Sequence, residues 1–281
     1  MTEKVGILHP GEMGISVAAS AQNNDNTVFW ASEGRSSQTQ ARAQRHSLND
    51  AHSLEKLCQT CSILISVCPP HAAEAVAQQV LANSFSGLYV DANAISPQRA
   101  VRIGDAMAER GVAFVDGGII GGPAWEPNTT WLYLSGREAE RVANCFSAGP
   151  LQTKVIGEQI GKASALKMCF AAYTKGTTAL LCAILGAAEG LNVREELEQQ
   201  WSRNGSDFAG QAVQRATRVT AKAWRFAGEM EEIAATFAET GMPAGFHEAA
   251  ADIYRRLAPF KDLEATPPLE TVLAALLGQD R

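Results

Sequence analysis

From Lys4 to about Glu158 one pattern repeats: a short apolar run, a turn, then a stretch with helical spacing. No other feature of the sequence constrains the fold as much. The apolar runs fall at 5–8, 27–30, 63–67, 88–91, 113–116 and 130–134, with a last short one near 154–156. Several are continuous rather than alternating, as in strands buried on both faces of a parallel sheet. Helical patterns lie between them, for instance at 13–21, 72–82 and 97–110. Repeated strand–helix–strand units imply a doubly wound α/β sheet.

Past Ile160 no further strand pattern occurs. The longest helical pattern begins near Gly161 and runs to about Leu191, rich in Ala and Leu. Others follow at 194–201, 208–221, 228–239, 244–257 and 269–277, with Gly241–Pro243 as a stop-and-restart signal. No Gly/Ser linker separates the halves, so the long helix is expected to join them. The expected organisation is an α/β chain: a Rossmann-type doubly wound sheet over residues 1–158, then an all-helical domain over 159–281 for substrate binding and dimerisation. A chain of 281 residues is long enough for both.

The first apolar run leads into His9-Pro10-Gly11-Glu12-Met13-Gly14 and then a helix. A dinucleotide-binding turn needs glycine where the backbone approaches the pyrophosphate, and again where the helix packs on the strand. Gly11 and Gly14 occupy those places, while His9 replaces the first glycine of G-x-G-x-x-G. The helix N-terminus then directs its free N–H groups at phosphate; a tight strand–helix turn without a ligand is the plain alternative. The second run ends at Trp30-Ala31-Ser32-Glu33-Gly34-Arg35-Ser36. An NAD site places an acid at this tip for the ribose hydroxyls, and counting from the glycine loop puts Ser32 there. Ser32, Arg35 and Ser36 offer two hydroxyls and a guanidinium to a 2′-phosphate, which favours NADP. A small register shift makes Glu33 the ribose acid instead, and Arg35 then reads as a solvated loop residue.

With these motifs in view, the chain resembles the β-hydroxyacid dehydrogenases, the superfamily of 6-phosphogluconate and 3-hydroxyisobutyrate dehydrogenases. Pro10-Gly11-Glu12-Met13-Gly14 is similar to that family's G-L-G-x-M-G, and Val67-Cys68-Pro69-Pro70 to its cofactor-closing loop. Asp91-Ala92-Asn93-Ala94-Ile95-Ser96-Pro97 resembles D-x-S-T-x-x-P beside the nicotinamide, and the run from Asp116 to Gly122 resembles the substrate-contacting D-A-P-V-S-G-G. Gly161 to Lys167 looks like the start of the helix that carries the catalytic lysine. The resemblance covers residues 4 to about 190 and implies a cofactor site of His9, Pro10, Gly11, Glu12, Met13, Cys68, Pro69, Pro70 and Asn93, with Lys167 catalytic. It also implies substrate contacts at Ile120, Gly121, Gly122, Phe170 and Ala171, and intertwined helical domains in a homodimer.

Two departures stand out: the family serine is Ile120 and the asparagine one turn after the lysine is Ala171. Both changes leave a more apolar pocket. Thr174 or Thr178, on the face of Lys167, offers a replacement hydroxyl; bonding back to its own helix is the alternative for either. Lys167 has apolar neighbours, and desolvation there lowers an amine pKa toward the working pH. Lys175, further round the helix, is the weaker candidate. Trp224-Arg225-Phe226 and Met230 offer aromatic walls and one guanidinium from the helical half.

The expected function is an NADP-dependent oxidoreductase acting on a carbonyl/alcohol pair. The alternatives are an imine reductase-like enzyme, against which the retained Lys167 speaks, and a non-catalytic NADPH-binding sensor. A net charge of −6 with scattered Lys and Arg argues against a nucleic-acid surface. Cys58-x-x-Cys61 has metal or redox spacing, but no second pair follows. No metal site is expected, and the six cysteines are read as reduced thiols. The N-terminus lacks a signal-peptide pattern, and the longest uncharged apolar run, 176–188, is short of the ~20 residues a bilayer needs. A cytoplasmic location is therefore expected, and apolar positions from Phe226 to Leu257 suggest a large dimer interface.

Overall fold

The computed structural model describes residues 2–261 and 263–279. The chain divides into two compact units, Met1–Met168 and Cys169–Arg281. The first contains β1 (Lys4–Ile7), α1 (Glu12–Gln22), β2 (Thr27–Trp30), α2 (Ser37–Arg45), β3 (Asn49–Asp50), α3 (Leu54–Thr60) and β4 (Ile63–Ser66). It continues with α4 (Ala73–Ala82), β5 (Leu88–Asp91), α5 (Pro97–Glu109), β6 (Ala113–Ile120), β7 (Trp131–Ser135), α6 (Ala139–Asn144) and β8 (Gln152–Val155). The opening turns of α7 (Lys162–Gly190) complete it.

The eight strands form one sheet in the order β3-β2-β1-β4-β5-β6-β7-β8. Neighbours pair in parallel except β6 with β7, which is antiparallel. Strand order reverses between β1 and β4, and in such sheets ligands bind beyond the carboxyl ends of the strands at this reversal. The continuous apolar runs follow from burial on both faces. Ile63 and Ile65 pack with Ile15 and Val17 of α1, whereas Leu64 packs with Leu57 of α3 and Val80 of α4.

Two strand readings need correction. β3 has only two residues, both exposed and polar, so no apolar pattern announces it. β6 does not stop at Asp116: Gly117, Gly118, Ile119 and Ile120 continue it by pairing with β7. Paired glycines weaken a strand signal in sequence, but here the partner strand supplies the order.

The second unit is helical: the remainder of α7, then α8 (Arg194–Trp201), α9 (Phe208–Arg218), α10 (Thr220–Glu239), α11 (Gly245–Leu257) and α12 (Leu269–Leu277). α10 packs along α11, and α12 packs on α9 and α11. The expected break between 221 and 228 is absent: α10 starts at Thr220, and Gly228 lies inside it. A mid-helix glycine costs about 1 kcal/mol relative to alanine; burial of Ala223, Ala227, Met230 and Ile233 along one face outweighs that. Met230, Ile233, Tyr254 and Leu257 are fully buried within this unit. Among the described residues α7, with 29, is the one helix long and apolar enough to cross a membrane by length and composition, and 44% of its most apolar stretch is buried.

Candidate active site

The β1–α1 turn is shaped by steric necessity at one glycine and openness at the other. A methyl group on Gly14 would lie 2.1 Å from the His9 carbonyl oxygen, so α1 packs on the turn only because Gly14 is bare. A methyl on Gly11 would meet nothing within 4 Å. No side chain caps α1 at Gly11, so its first N–H groups face outward unsatisfied by a cap. Pro10 is buried, Glu12 is exposed in the first turn, and Met13 packs half-buried on the core. Burial, helped by the neighbouring Arg35 charge, holds His9 down to a pKa of about 4, so its ring is neutral. Its Nδ1 is buried without a partner.

Beyond β2 the expected residues do not gather round one point. Ser32 donates its backbone N–H to Asp50 Oδ1 at 3.2 Å, and Ser36 Oγ caps α2 by accepting from Thr39 N at 3.3 Å. Arg35 turns toward the sheet: Nη2 donates to the Leu8 carbonyl at 3.0 Å, and Nε is buried and unpaired. Arg42 reaches the same turn, donating to the Pro10 carbonyl at 3.3 Å. Glu33 is exposed. The acid beside Ser32 is Asp50 on β3, which the sequence reading did not single out. Burial pushes its carboxyl up, but hydrogen bonds from Ser32 and His52 outweigh that and hold it below the usual value.

Across the next strands a polar row stands in register: Ser66 opposite Asp91, Asp91 opposite Asp116, and Asp116 opposite Ser135. All four are essentially inaccessible. Asn93 ties the row to the loop after β4. Its N–H and Nδ2 donate to the two Asp91 oxygens at 3.0 and 2.9 Å, Nδ2 also reaches Ser66 Oγ, and Oδ1 accepts from Cys68 N at 2.5 Å. Burial raises the Asp91 pKa to about 7; Asn93 opposes the shift, and nearby Asp116 adds to it. Burial likewise lifts the Cys68 thiol to about 11. Pro69 is exposed, and Pro70, buried, starts a single 3-10 turn.

β6 then meets α7. Asp116 Oδ2 accepts from Gly161 N at 3.0 Å, Ser164 N at 3.1 Å and Ser135 Oγ at 3.0 Å, and Oδ1 accepts from Ser164 Oγ at 2.6 Å. Burial raises this carboxyl, and those four hydrogen bonds pull against the rise. A methyl on Gly118 would come within 2.6 Å of the Ala163 carbonyl oxygen and 3.1 Å of Lys167 Cβ. Lys167 thus stands half-buried on the turn of α7 that rests on Gly118. Ile120 closes β6, and Gly121 follows at φ +126°, where a methyl would also strike the Thr129 carbonyl at 2.5 Å. Gly122 is held by Thr130 Oγ1, which donates to its carbonyl at 2.7 Å.

In the second unit Phe170 is exposed and Ala171 buried on α7. Thr174 Oγ1 donates back to the Phe170 and Ala171 carbonyls at 3.2 and 3.5 Å, and Thr178 to the Thr174 carbonyl at 3.0 Å. Lys175 pairs with Glu229 and lies 4.8 Å from the Phe226 ring centre. Phe226 packs edge-on against Tyr254, Lys261 lies over Trp224, Arg225 Nε is buried without a partner, and Met230 is core. Cys58 and Cys61 are buried free thiols, and no group of three or more His, Cys, Asp or Glu among the described residues is placed to hold a metal.

A strand-order reversal, an open Gly11 beside an uncapped helix and two orphaned buried nitrogens on His9 and Arg35 fit a dinucleotide. Together they define a nicotinamide-dinucleotide-binding domain. Residues 4–148 match the NAD binding domain of 6-phosphogluconate dehydrogenase, and the chain belongs to that family. It is a member of the 6-phosphogluconate and 3-hydroxyisobutyrate dehydrogenase-like superfamily. Residues 188–257 match a domain of unknown function, DUF1932. A 28.5 kDa protein encoded beside 7S RNA in Methanothermus fervidus is 30% identical over 165 residues, 59% of this chain; the match spans 63% of that relative's length. The conserved protein MTH1747, described as structurally similar to 3-hydroxyacid dehydrogenases, is 30% identical with a TM-score of 0.66, covering 92% of this chain and 97% of that one. The fold is shared with Mycobacterium tuberculosis 3-hydroxyisobutyrate dehydrogenase (18% identity, TM-score 0.69, 98% and 99% covered). It is also shared with an Aspergillus terreus reductive aminase (18% identity, TM-score 0.55, 97% and 99% covered).

Proposed function

We propose that the chain is an NADPH-dependent oxidoreductase acting on a carbonyl/alcohol pair, with Lys167 as the proton donor to the carbonyl oxygen. The observation that carries this reading is the seat of Lys167: on a helix anchored at Asp116 and resting on Gly118, at the carboxyl side of the sheet where the family binds its cofactor. A bound nicotinamide supplies or accepts the hydride. Lys167 Nζ gives its proton to the substrate oxygen as the alcohol forms and takes the hydroxyl proton in reverse. Ile120 and Ala171, where relatives of this type carry polar groups, favour a substrate with an apolar body. The 2′-phosphate is assigned to Arg35 and Arg42, which donate to the neutral Leu8 and Pro10 carbonyls, with Arg35 Nε buried and unpaired. Asp50 beside Ser32 is the competing feature. All six cysteines are free thiols, in keeping with a reducing compartment.

The proposal extends to a homodimer. Met230, Ile233, Tyr254 and Leu257 of α10 and α11 lie in the unit's own core, while Phe246 on α11 is 48% exposed and Phe170, Tyr173 and Leu180 on α7 are 45, 73 and 45% exposed. The intervals of 3 and 7 from Phe170 to Tyr173 to Leu180 keep to the repeat of a helix-pairing seam.

The test is NADPH oxidation against ketoacids, aromatic ketones and cyclic imines, with NADPH and NADH binding followed by fluorescence. Lys167→Met is expected to lower kcat on ketones by about 10²–10⁴-fold while NADPH affinity holds. Imine turnover unaffected by Lys167→Met, without ketone turnover, supports an imine reductase; tight NADPH binding with no turnover supports a sensor. Arg35→Ala is expected to weaken NADPH by about 1.5–3 kcal/mol and leave NADH unchanged. Wild-type preference for NADH overturns the cofactor reading and makes Asp50 or Glu33 the ribose acid.

A further inference from the structure

We propose that Asp116 and Gly118 are positioning residues for Lys167, one anchoring the first turn of α7 and the other letting that helix settle directly on β6; this rests on Lys167 as proton donor. A helix begins with N–H groups that lack intrahelical partners, and a side chain just ahead of it usually accepts from them. α7 takes its acceptors from the sheet instead. Gly161 N and Ser164 N donate to Asp116, and Ala163 N donates to Ser135 Oγ at 3.1 Å, which in turn donates to Asp116. An acceptor at this end also favours the helix dipole. Both Asp116 oxygens are engaged by four donors, and the side chain is inaccessible, so it holds the helix rather than meeting a substrate.

Asp116 and Gly118 are two residues apart on one strand and therefore face the same side of the sheet. The first fixes the start of α7 and the second sets how closely its next turn approaches. With no side chain at 118, the Ala163 carbonyl comes nearer than any Cβ would permit, and Lys167 Cβ lies closer than most Cβ contacts allow. The motif that this stretch resembles, D-A-P-V-S-G-G, has proline there, so the close seat belongs to this chain's own Gly118. A methyl at 118 has to push back a backbone carbonyl rather than a flexible side chain, and the turn bearing Lys167 moves with it.

The experiment uses full-length protein whose lysines are reductively ¹³C-methylated, with the Lys167 resonance identified by its loss in Lys167→Met. In Gly118→Ala and Asp116→Ala that resonance is expected to move and its titration midpoint to change by at least ~0.5 pH unit, other lysines staying put. Asp116→Asn, which keeps an oxygen for the two backbone donors, is expected to restore both. On a ketone turned over by the wild type, Gly118→Ala is expected to lower kcat about 100-fold, the scale of a 1 Å misplacement, with the NADPH Kd unchanged. A folded Gly118→Ala with wild-type Lys167 titration and kcat overturns the proposal. Should Gly118→Ala or Asp116→Ala fail to fold, Ser164→Ala, which removes one hydroxyl donor, is read the same way: a smaller shift in the same direction supports it, and none overturns it. If Lys167→Met keeps full kcat, the proton-donor reading fails, while the titration still judges the placement.

Discussion

At the scale of single residues, the most consequential group is a carboxyl sealed from solvent. Asp91 has Asn93 bonded to both oxygens, with Asp116, Arg99, Tyr89 and Cys68 as its titratable or charged neighbours. Burial first, and Asp116 in addition, raise it from 3.8 to about 7. The folded protein then holds a proton that the unfolded chain has already released. The stability this group contributes is complete below about pH 4 and is lost as pH rises to about 7. Urea unfolding at pH 5 and pH 7 is expected to show the wild type losing on the order of 2 kcal/mol relative to Asp91→Asn over that interval. Identical pH slopes in the two proteins would falsify the burial argument. Asp50 teaches a related lesson. Its role beside Ser32 depends on a neighbouring two-residue strand, and nothing in the spacing of residues 49–52 reveals it.

At the scale of elements, the β1–α1 turn separates two uses of glycine. Gly14→Ala places a methyl against the His9 carbonyl and is expected to destabilise the protein by about 1–3 kcal/mol, the range for overpacking, and to weaken NADPH more than tenfold. Gly11→Ala meets no obstruction and is expected to leave the thermal midpoint near wild type while still weakening NADPH, because the methyl occupies the approach to the turn. Thermal unfolding and fluorescence titration of both variants check the pair; equal destabilisation by the two would sink the distinction.

This turn was legible in the sequence because strand, glycines and helix are contiguous, as were the long apolar helix α7 and the exact span of α8. The anchoring of α7 was not legible. Asp116, Ser135 and Ser164 are far apart along the chain and meet only once the sheet has formed. The same holds for α10, where the glycine at 228 looked like a start and proved to be interior. Local propensity marked a break there, and burial along one face overrode it.

At the scale of the whole molecule, the exposed seam on α7 decides the expected assembly. Tyr173, at 73% exposure, contributes little to the fold of one chain, and the proposed seam would bury it. Light scattering is expected to give twice the 29.9 kDa chain mass, and Tyr173→Glu with Leu180→Glu to give the single-chain mass without loss of helical content. A monomeric wild type at micromolar concentration would remove the seam from the argument. The distribution of thiols has a practical side too. Of the six cysteines, Cys169 alone is exposed, while burial pushes Cys58, Cys61, Cys68, Cys145 and Cys182 up to about 11 or 12 and so keeps them from forming thiolate. An alkylating dye therefore has one natural attachment point, two residues along α7 from Lys167 and about 200° round the helix from it, so the native sequence can carry a reporter on that helix without occupying the lysine's face.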